Sequence, residues 1–276
     1  MIIIAEKLNG SIPSCAKAIA ERDADYIRDI AKRQADVIKD VEAGGFIDVC
    51  SSVKEGEFEA LQWMIDLVKE VTDCPISVDS PDVNVCVKGM QYLEEKYGDK
   101  KGLFNSVSGE GNKIDVAFPI LAKNTWDVMA LLSDDTGIPK TAAKRIEVFD
   151  RIMAKAKEYG IAENRIHIDP LVEMLCTSED GIAMVVEVMS HIKRTHPKVH
   201  ISGAVSNISF NLPARRIVNQ AFTVLAMNAG MDSGVLDPLN QDLMGMIYAT
   251  EALLGMDEMC MEYIGAYRAG IFGQKK

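Results

Sequence analysis

The chain has 276 residues, of which 48% are hydrophobic and 26% charged, and its formal net charge is −11 at pH 7. A globular protein of this length can form one or two domains. Because an acidic protein repels phosphate backbones, nucleic-acid binding is disfavoured. The first residues are typical of a strand and not of a signal peptide, and no apolar stretch approaches the length of a membrane span.

The cysteines are scattered along the chain without a paired pattern. They are Cys15, Cys50, Cys74, Cys86, Cys176 and Cys260. This arrangement indicates free thiols in a reducing compartment, so we expect a cytoplasmic protein. The spacing of the cysteines supports no cysteine-rich metal site.

Strand-like and helix-like segments alternate along the whole chain. The predicted strands cover residues 2–5, 46–50, 76–79, 103–105, 126–132, 165–169, 199–202 and 233–236. The clearest predicted helices lie within residues 23–45, 58–71, 140–159, 179–194 and 241–254. For the first of these helices, Gly44 and Gly45 are the expected C-cap.

Eight short strands separated by amphipathic helices imply parallel pairing, because each return to the sheet needs a crossover. In about 250 residues, eight such units most economically close into a (β/α)8 TIM barrel. A doubly wound open sheet is the structural alternative. We find no linker, low-complexity tract or repeat, so the sequence predicts one domain over residues 1–276.

Acidic and amide residues follow the predicted strands at their carboxyl ends. They are Asp48, Asp79, Asn105, Asp134, Asp135, Asp169, Asn207 and Asp237. In a barrel these ends share one face, where active sites are found. Any one of these residues could simply cap the following helix or turn. Because so many occur together, the pattern favours a polar binding site.

The chemistry of this set restricts the ligand. No HExxH or Cys-His motif supports zinc, and His191, His196 and His200 are expected in a solvated loop. The segment "SGEGNK" at 108–113 lacks a phosphate-binding motif and is expected to be a flexible loop, and no GxSxG elbow is present. A nearly neutral ligand that donates hydrogen bonds fits best. A 2-amino-4-oxo pterin offers two parallel donors to one buried carboxylate.

Several motifs occur together and in order: "IIIAEKLNG" at the start, "VDS" at 78–80, "FNSVS" at 104–108, "TGIPK" at 136–140, "HIDPL" at 167–171 and "SNISF" at 206–210. This set resembles the pterin-binding methyltransferase family. The family includes methyltetrahydrofolate:corrinoid protein methyltransferases and the folate-binding module of cobalamin-dependent methionine synthase. The resemblance runs from residue 1 to about residue 260 and implies a dihydropteroate-synthase-like (β/α)8 barrel that is usually a homodimer.

The resemblance also implies roles for residues at the matching positions. Asp79, Asn105 and Asp169 would hold the pterin ring, and Asp169 would accept its paired donors. Asp48 would lie in the same layer. The remaining implied contacts are Ser206 and Asn207 at the reacting edge of the ring and Arg215 toward the p-aminobenzoyl-glutamate end. Asn207 would hydrogen-bond N5, the nitrogen that carries the methyl group.

The sequence departs from the family pattern at three positions: Cys50, Ala204 and Phe210. Dihydropteroate synthases share the barrel, but their N-terminal Asn-x-Thr-Pro-Asp-Ser-Phe loop and their late Lys…Ser-x-Arg phosphate contacts are not found here. The resemblance therefore favours the methyltransferases over the synthases.

The implied activity is methyl transfer between N5 of tetrahydrofolate and the cobalt of a corrinoid, and the sequence does not set its direction. No Asp-x-His-x-x-Gly cobalamin motif is present, so we expect the corrinoid on a separate protein, and we expect no bound metal. No lysine at a strand end suggests Schiff-base chemistry. The alternatives are a non-catalytic folate-binding subunit and a metal-dependent barrel lyase.

The segment "MDEMCMEYIGAYR" at 256–268 is rich in methionine near the C-terminus. Packing in the core or in a dimer is the favoured interpretation. Docking of the corrinoid protein is the alternative.

Overall fold

The computed structural model describes residues 1–273, in which eight strands alternate with helices. The strands are β1 (Ile2–Asn9), β2 (Gly45–Cys50), β3 (Ile76–Asp79), β4 (Leu103–Gly109), β5 (Asp127–Asp134), β6 (Ile166–Asp169), β7 (His200–Ile201) and β8 (Ser233–Leu236). The helices are α1 (Pro13–Glu21), α2 (Ala24–Ile38), α3 (Glu57–Val71), α4 (Val83–Tyr97), α5 (Lys113–Leu121), α6 (Ala142–Tyr159), α7 (Ala183–Thr195), α8 (Arg215–Asn228), α9 (Gln241–Leu253) and α10 (Met261–Ala269).

The strands form one parallel sheet in the order β7-β6-β5-β4-β3-β2-β1-β8. Its two edges meet, because the Asp232 amide donates to the Ile201 carbonyl (3.1 Å) and the Val235 amide donates to the Gly203 carbonyl (3.0 Å). Joining β7 to β8 in this way closes the sheet into a barrel. The prediction of a (β/α)8 barrel is therefore confirmed.

Apolar side chains pack in two places. The larger cluster lies between the strands and the surrounding helices. A second cluster of buried residues contains Ile4, Phe46, Leu103 and Met129, one from each of four strands. Met129 also contacts the cavity described below, so this layer supports the floor of that cavity.

Some predicted element ends are wrong. Helix α2 ends at Ile38 and not at Gly44, because residues 39–44 form successive turns before β2. Gly44 provides the left-handed turn with φ +68°, and Gly45 already pairs with Ile3 of β1. Helix α7 begins at Ala183, four residues later than predicted.

The segment at 108–113 is not a flexible loop. Ser108 and Gly109 extend β4, and Gly109 pairs with Asp134 of β5. The turn that follows is held by the Gly111 amide, which donates to the Asp135 carboxylate (2.7 Å). Helix α5 then begins at Lys113, so only three residues separate the two elements.

The three histidines do not share a solvated loop. His191 lies within helix α7, and His196 follows the end of that helix. His200 is in β7, where its ring stacks on buried His167 with 4.8 Å between ring centroids. Its Nδ1 lies 3.2 Å from the Asp232 carboxylate, so His200 belongs to the packed barrel.

Among residues 1–273, no helix combines the length and the apolar character that crossing a bilayer would require.

Candidate active site at the barrel mouth

A cavity of about 610 Å³ opens at the carboxyl ends of the strands. All seven residues predicted to bind the ligand contact it: Asp48, Asp79, Asn105, Asp169, Ser206, Asn207 and Arg215. Two further polar residues on β1, Glu6 and Asn9, also contact it. The barrel thus brings side chains from distant parts of the chain to one site, as its geometry requires.

The floor of the cavity is built around Asp48, which is buried at the end of β2. Its Oδ1 accepts hydrogen bonds from Ser77 Oγ (2.5 Å) and from Asn105 Nδ2 (3.2 Å). Burial raises the pKa of Asp48 to about 6. Burial and the nearby Asp48 carboxylate raise the pKa of Asp79 well above its usual range. The pair therefore retains a proton under conditions in which exposed carboxyls are ionised.

Asp169 lies at the end of β6 on another side of the floor. Burial raises its pKa to about 6, although the Leu171 amide bond and the Arg145 charge oppose this change. The Leu171 amide donates to Asp169 Oδ1 (2.7 Å), and Leu171 itself has φ +67°. One carboxylate oxygen is thus held by the backbone turn.

Arg145 on α6 holds the loop that follows Asp169. The guanidinium is fully buried and donates to the carbonyls of Pro170 and Leu171 and to the Glu173 carboxylate (2.6 Å). Sequence reasoning missed this residue. A detectable signal existed, because Arg145 lies on the apolar face of a helix, where an unpaired charge would be costly.

The wall of the cavity includes a 3₁₀ turn, Val205–Ser209, that follows β7. The Arg215 guanidinium donates to the Ser206 carbonyl (2.7 Å) and to Ser209 Oγ (2.9 Å). It also lies over the Phe210 ring, 4.5 Å from the centroid. The first arginine of helix α8 therefore fastens the turn that carries Ser206 and Asn207. Phe210, one departure from the family pattern, takes part in this packing.

Asn207 is half-buried and contacts the cavity. Its backbone amide and carbonyl make turn hydrogen bonds with Ala204 and Phe210. These bonds fix the backbone of Asn207 within the turn, so its position at the wall is set by the tertiary structure. The carboxamide can either donate or accept a hydrogen bond.

The other two departures from the family pattern, Cys50 and Ala204, differ in their surroundings. Cys50 is buried, its Sγ lies 3.1 Å from Ser52 Oγ, and burial raises the pKa of its thiol. Ala204 contacts the cavity and forms a parallel bridge with Val235. A raised pKa keeps the Cys50 thiol protonated, which disfavours a nucleophilic role.

Three of the strand-end acids do not contact the cavity. Asp134 binds Thr136 and Arg151 at the surface, and Asp135 accepts the Gly111 amide. The Asp237 carboxylate accepts the Leu239 amide (3.0 Å), and it lies 3.5 Å from Lys7 Nζ. These three residues stabilise turns, which was the alternative to a binding role, and the prediction that they belong to the polar binding site was wrong.

Glu6 and Asn9 were not predicted as site residues. Strand β1 continues to Asn9, well past the apolar run at residues 2–5, so both side chains reach the mouth. The signal was a set of polar residues that directly follows the apolar run at 2–5 within the same strand. Ser206 Oγ donates to Glu6 Oε2 (3.2 Å).

Within residues 1–273, we find no group of three or more His, Cys, Asp or Glu that could hold a metal ion. The expectation that the protein binds no metal stays a prediction.

A parallel eight-stranded barrel with carboxylates and amides at the carboxyl ends of its strands has the architecture of the TIM-barrel proteins, whose functional sites lie at this face. A family described as "Pterin binding enzyme" matches residues 23–237 of this chain. The protein is 45% identical to the methylcorrinoid:tetrahydrofolate methyltransferase of Eubacterium limosum, over 99% of this chain and 98% of the relative. It is 28% identical to the methionine synthase of Mycobacterium tuberculosis over 59% of this chain, which is 14% of that longer protein.

Solved structures give the same fold. The dihydropteroate synthase of Yersinia pestis superposes with a TM-score of 0.62 at 14% identity, covering 93% of each chain. The synthase of Xanthomonas albilineans, in complex with 7,8-dihydropteroate, superposes with a TM-score of 0.57 at 16% identity and 92% coverage of each chain. The chain belongs to the pterin binding enzyme family, and the resemblance to its methyltransferases is confirmed.

Proposed function

We propose that this protein is a methyltransferase that moves a methyl group between N5 of tetrahydrofolate and the cobalt of a corrinoid carried on a separate protein. The observation that carries this proposal is the cavity. The carboxyls of Asp48 and Asp169, which are buried, and of Asp79, which is half-buried, share this cavity with Ser206 and Asn207. Identity of 45% over nearly the whole chain to a methylcorrinoid:tetrahydrofolate methyltransferase supports the same activity.

The floor is suited to a pterin ring. In our proposal Asp169 accepts the ring N3–H and the exocyclic amine, while Asn105 and the Asp48–Asp79 pair contact other polar edges. Asp169 is suitable because one of its oxygens is already fixed by the Leu171 amide (2.7 Å), so the carboxylate is oriented before the ligand arrives.

The cavity wall is suited to the edge of the pterin ring that carries N5. Asn207 would hydrogen-bond N5, with its amide donating to the nitrogen lone pair or accepting from N5–H as the reaction requires. An amide binds both states of N5, whereas a fixed carboxylate would favour only the protonated one. Arg215 lies exposed at the rim, and we propose that it is near the p-aminobenzoyl-glutamate part of the folate.

We propose that the physiological direction is formation of methyltetrahydrofolate. This direction follows the name of the Eubacterium limosum relative, in which methylcorrinoid is the donor. It would suit a system that removes methyl groups from a primary substrate and passes them to folate. The system served would best be identified from the neighbouring genes.

We also propose a homodimer formed through the apolar surface of helices α8, α9 and α10. Exposed apolar side chains on and between these neighbouring helices are Ile217, Leu225, Met246, Leu253, Leu254, Met256, Met259, Met261, Tyr263, Ile264 and Tyr267. This set includes much of the methionine-rich segment, so packing of that segment in the core is wrong. A large exposed apolar surface is typical of an interface.

A substitution tests the dimer. Leu253 is 86% exposed, and Leu253→Glu should shift the protein toward a monomer in light scattering after size exclusion, because it places charge in the apolar interface. Lys123→Glu, at an exposed position after helix α5, is the control and should leave the mass unchanged. A wild-type monomer would refute the proposal.

Two further assignments complete the proposal: a single domain over residues 1–276 and a cytoplasmic location. The continuous closed sheet supports the first. The second is supported by the absence of any disulfide among the six cysteines, all of which lie in the described part of the chain.

The activity is tested by spectroscopy. The protein is mixed with methyltetrahydrofolate and cob(I)alamin, and formation of methylcobalamin is followed; the reverse mixture of tetrahydrofolate and methylcobalamin tests the proposed direction. Folate binding without transfer to free cobalamin or to any corrinoid protein would instead identify a non-catalytic folate-binding subunit. Activity on a small oxo acid that is lost with a chelator would identify a metal-dependent lyase.

A further inference from the structure

Glu6 is a carboxyl group in the cavity wall that the proposed contacts with the pterin ring do not use. It follows four consecutive apolar residues of β1, at 2–5, and its side chain reaches the same cavity as Asn207. Its hydrogen-bond partner is Ser206, whose Oγ donates to Glu6 Oε2 (3.2 Å). The Ser206 hydroxyl therefore links the Glu6 carboxyl to the part of the cavity wall at which N5 is proposed to lie.

The orientation of this hydrogen bond suits a proton relay. Ser206 gives its only proton to Glu6, which leaves the lone pairs of Oγ to accept a proton from another donor. The turn is fixed because Arg215 holds the Ser206 carbonyl (2.7 Å). Asn207, the next residue, contacts the same cavity.

Charged groups reach Glu6 from several elements. Burial raises the pKa of Glu6 to about 7, and the Ser206 hydrogen bond opposes this increase. Asp237 after β8 and Asp48 on β2 raise the pKa further, and Lys7 on the same strand lowers it. The Arg215 guanidinium donates its hydrogen bond to the Ser206 carbonyl and not to the Glu6 carboxyl. A carboxyl group of this pKa can exchange a proton near neutrality.

The other acids of the cavity make their hydrogen bonds to groups outside the turn that carries Ser206. Asp48 accepts hydrogen bonds from Ser77 Oγ and Asn105 Nδ2, and the Asp48 carboxylate raises the pKa of Asp79. Asp169, at the end of β6, accepts the Leu171 amide. None of these hydrogen bonds involves the turn that carries Ser206.

The proposed reaction requires a place for one proton. When N5 of tetrahydrofolate attacks the methyl group, an N–C bond forms and the Co–C bond breaks. The electron pair of that bond stays on cobalt, which is reduced from Co(III) to Co(I). N5 then carries both a methyl group and its original hydrogen, so one proton must leave to give neutral methyltetrahydrofolate. In the opposite direction the same proton must be supplied.

We propose that Glu6 is the acceptor of the N5 proton and that Ser206 relays it. The hydroxyl of Ser206 passes its own proton to the Glu6 carboxylate as its oxygen takes the proton from N5. In the opposite direction protonated Glu6 returns it. This inference rests on the proposed methyl transfer, and it adds a residue that acts on the substrate through Ser206.

The test compares single-turnover rates from pH 5.5 to 8.5 in both directions, with tetrahydrofolate plus methylcobalamin and with methyltetrahydrofolate plus cob(I)alamin. In the wild type, Glu6 should make the forward rate rise and the reverse rate fall across an inflection near pH 7. Glu6→Gln should lose this inflection in both directions and lose about 10²-fold in forward rate, because general bases typically contribute this much. Its tetrahydrofolate dissociation constant should change by less than about threefold, because the pterin contacts remain.

Glu110→Gln is the matched control. Glu110 also accepts a serine hydroxyl, from Ser133 (2.7 Å), but it does not contact the cavity, so both rates and the inflection should persist. Ser206→Ala should behave like Glu6→Gln, and Ser206→Thr should restore the pH profile because it keeps the hydroxyl. These two variants also decide the question if Glu6→Gln does not fold.

The inference is overturned if Glu6→Gln retains the wild-type pH profile, or if it loses tetrahydrofolate binding in proportion to its rate. Ser206→Thr with the same pH profile as Ser206→Ala would also contradict it. If the wild type itself transfers no methyl group in either direction, the proposed function fails and not the proton relay alone.

Discussion

Asp169→Asn should make the ligand-free protein more stable and the folate complex weaker. Asp169 is 8% exposed as a residue, and burial raises the pKa of its carboxyl from 3.8 to about 6. Asparagine has nearly the same shape and its oxygen can still accept the Leu171 amide, but it cannot ionise. The substitution therefore removes the cost of a buried charge while leaving the turn intact.

The magnitude follows from the difference in pKa. Because the pKa of Asp169 is raised in the folded state, its stabilising contribution to the free energy of unfolding is complete below pH 3.8. This contribution is lost as the pH rises through about 6. A difference of about two units corresponds to roughly 3 kcal/mol at pH 7.5, or a rise in Tm of about 5 °C or more for a domain of this size. Near pH 4 the two proteins should be almost equally stable.

Binding should change in the opposite sense. Asparagine cannot accept both parallel donors of the pterin, and the loss of hydrogen bonds to a charged acceptor costs about 1.5–3 kcal/mol. The dissociation constant for tetrahydrofolate should therefore rise about tenfold to a hundredfold at pH 7.5. The wild type should also bind more weakly as the pH falls below about 6, because protonation of Asp169 competes with the ligand.

Thermal unfolding across pH 4–8 and folate titration calorimetry measure both effects. Asp134→Asn is the control of opposite sign. The hydrogen bonds from Thr136 and Arg151 hold the pKa of Asp134 at about 2, so its removal should lower Tm slightly and leave folate binding unchanged. Lower stability of Asp169→Asn at pH 7.5 would refute the burial argument, and an unaltered dissociation constant would refute the pterin contact.

Two further substitutions test the wall and the loop. Asn207→Ala should reduce methyl transfer by about 10²-fold, as expected for a hydrogen-bond donor that acts in the transition state. Folate should still bind, with lower affinity. Unchanged turnover in stopped-flow measurements would refute this role. Arg145→Met should destabilise the fold by about 3–5 kcal/mol, because the carbonyls of Pro139, Pro170 and Leu171 lose their donor and each buried group left unpaired costs about 1–3 kcal/mol. Urea unfolding measures the change, and a loss below about 1 kcal/mol would contradict it.

Much of the fold was predictable from local sequence. Apolar runs of strand length alternate with segments of helical periodicity, and this order alone restricts the topology to parallel strands with crossover helices. The choice between a closed barrel and an open sheet was not local. It depends on the meeting of β7 with β8, which are 31 residues apart at the Ile201–Asp232 contact.

The candidate site was predicted in part because the barrel places every carboxyl end of a strand at the same mouth. This rule identified Asp48, Asp79, Asn105 and Asp169 without any knowledge of side-chain direction. The same rule wrongly included Asp134, because a residue just beyond a strand can turn outward to a surface partner such as Arg151.

The sequence by itself therefore determined the alternation of elements and the supply of polar groups at the strand ends, since both depend on near neighbours in the chain. Only the tertiary structure decided which of these groups share a cavity. It also decided which of them have a raised pKa. Glu6 and Ser206 are 200 residues apart, and their hydrogen bond exists because closure of the barrel brings the turn after β7 beside β1. The raised pKa of Glu6 arises from that burial, because desolvation disfavours the charged form wherever packing excludes water.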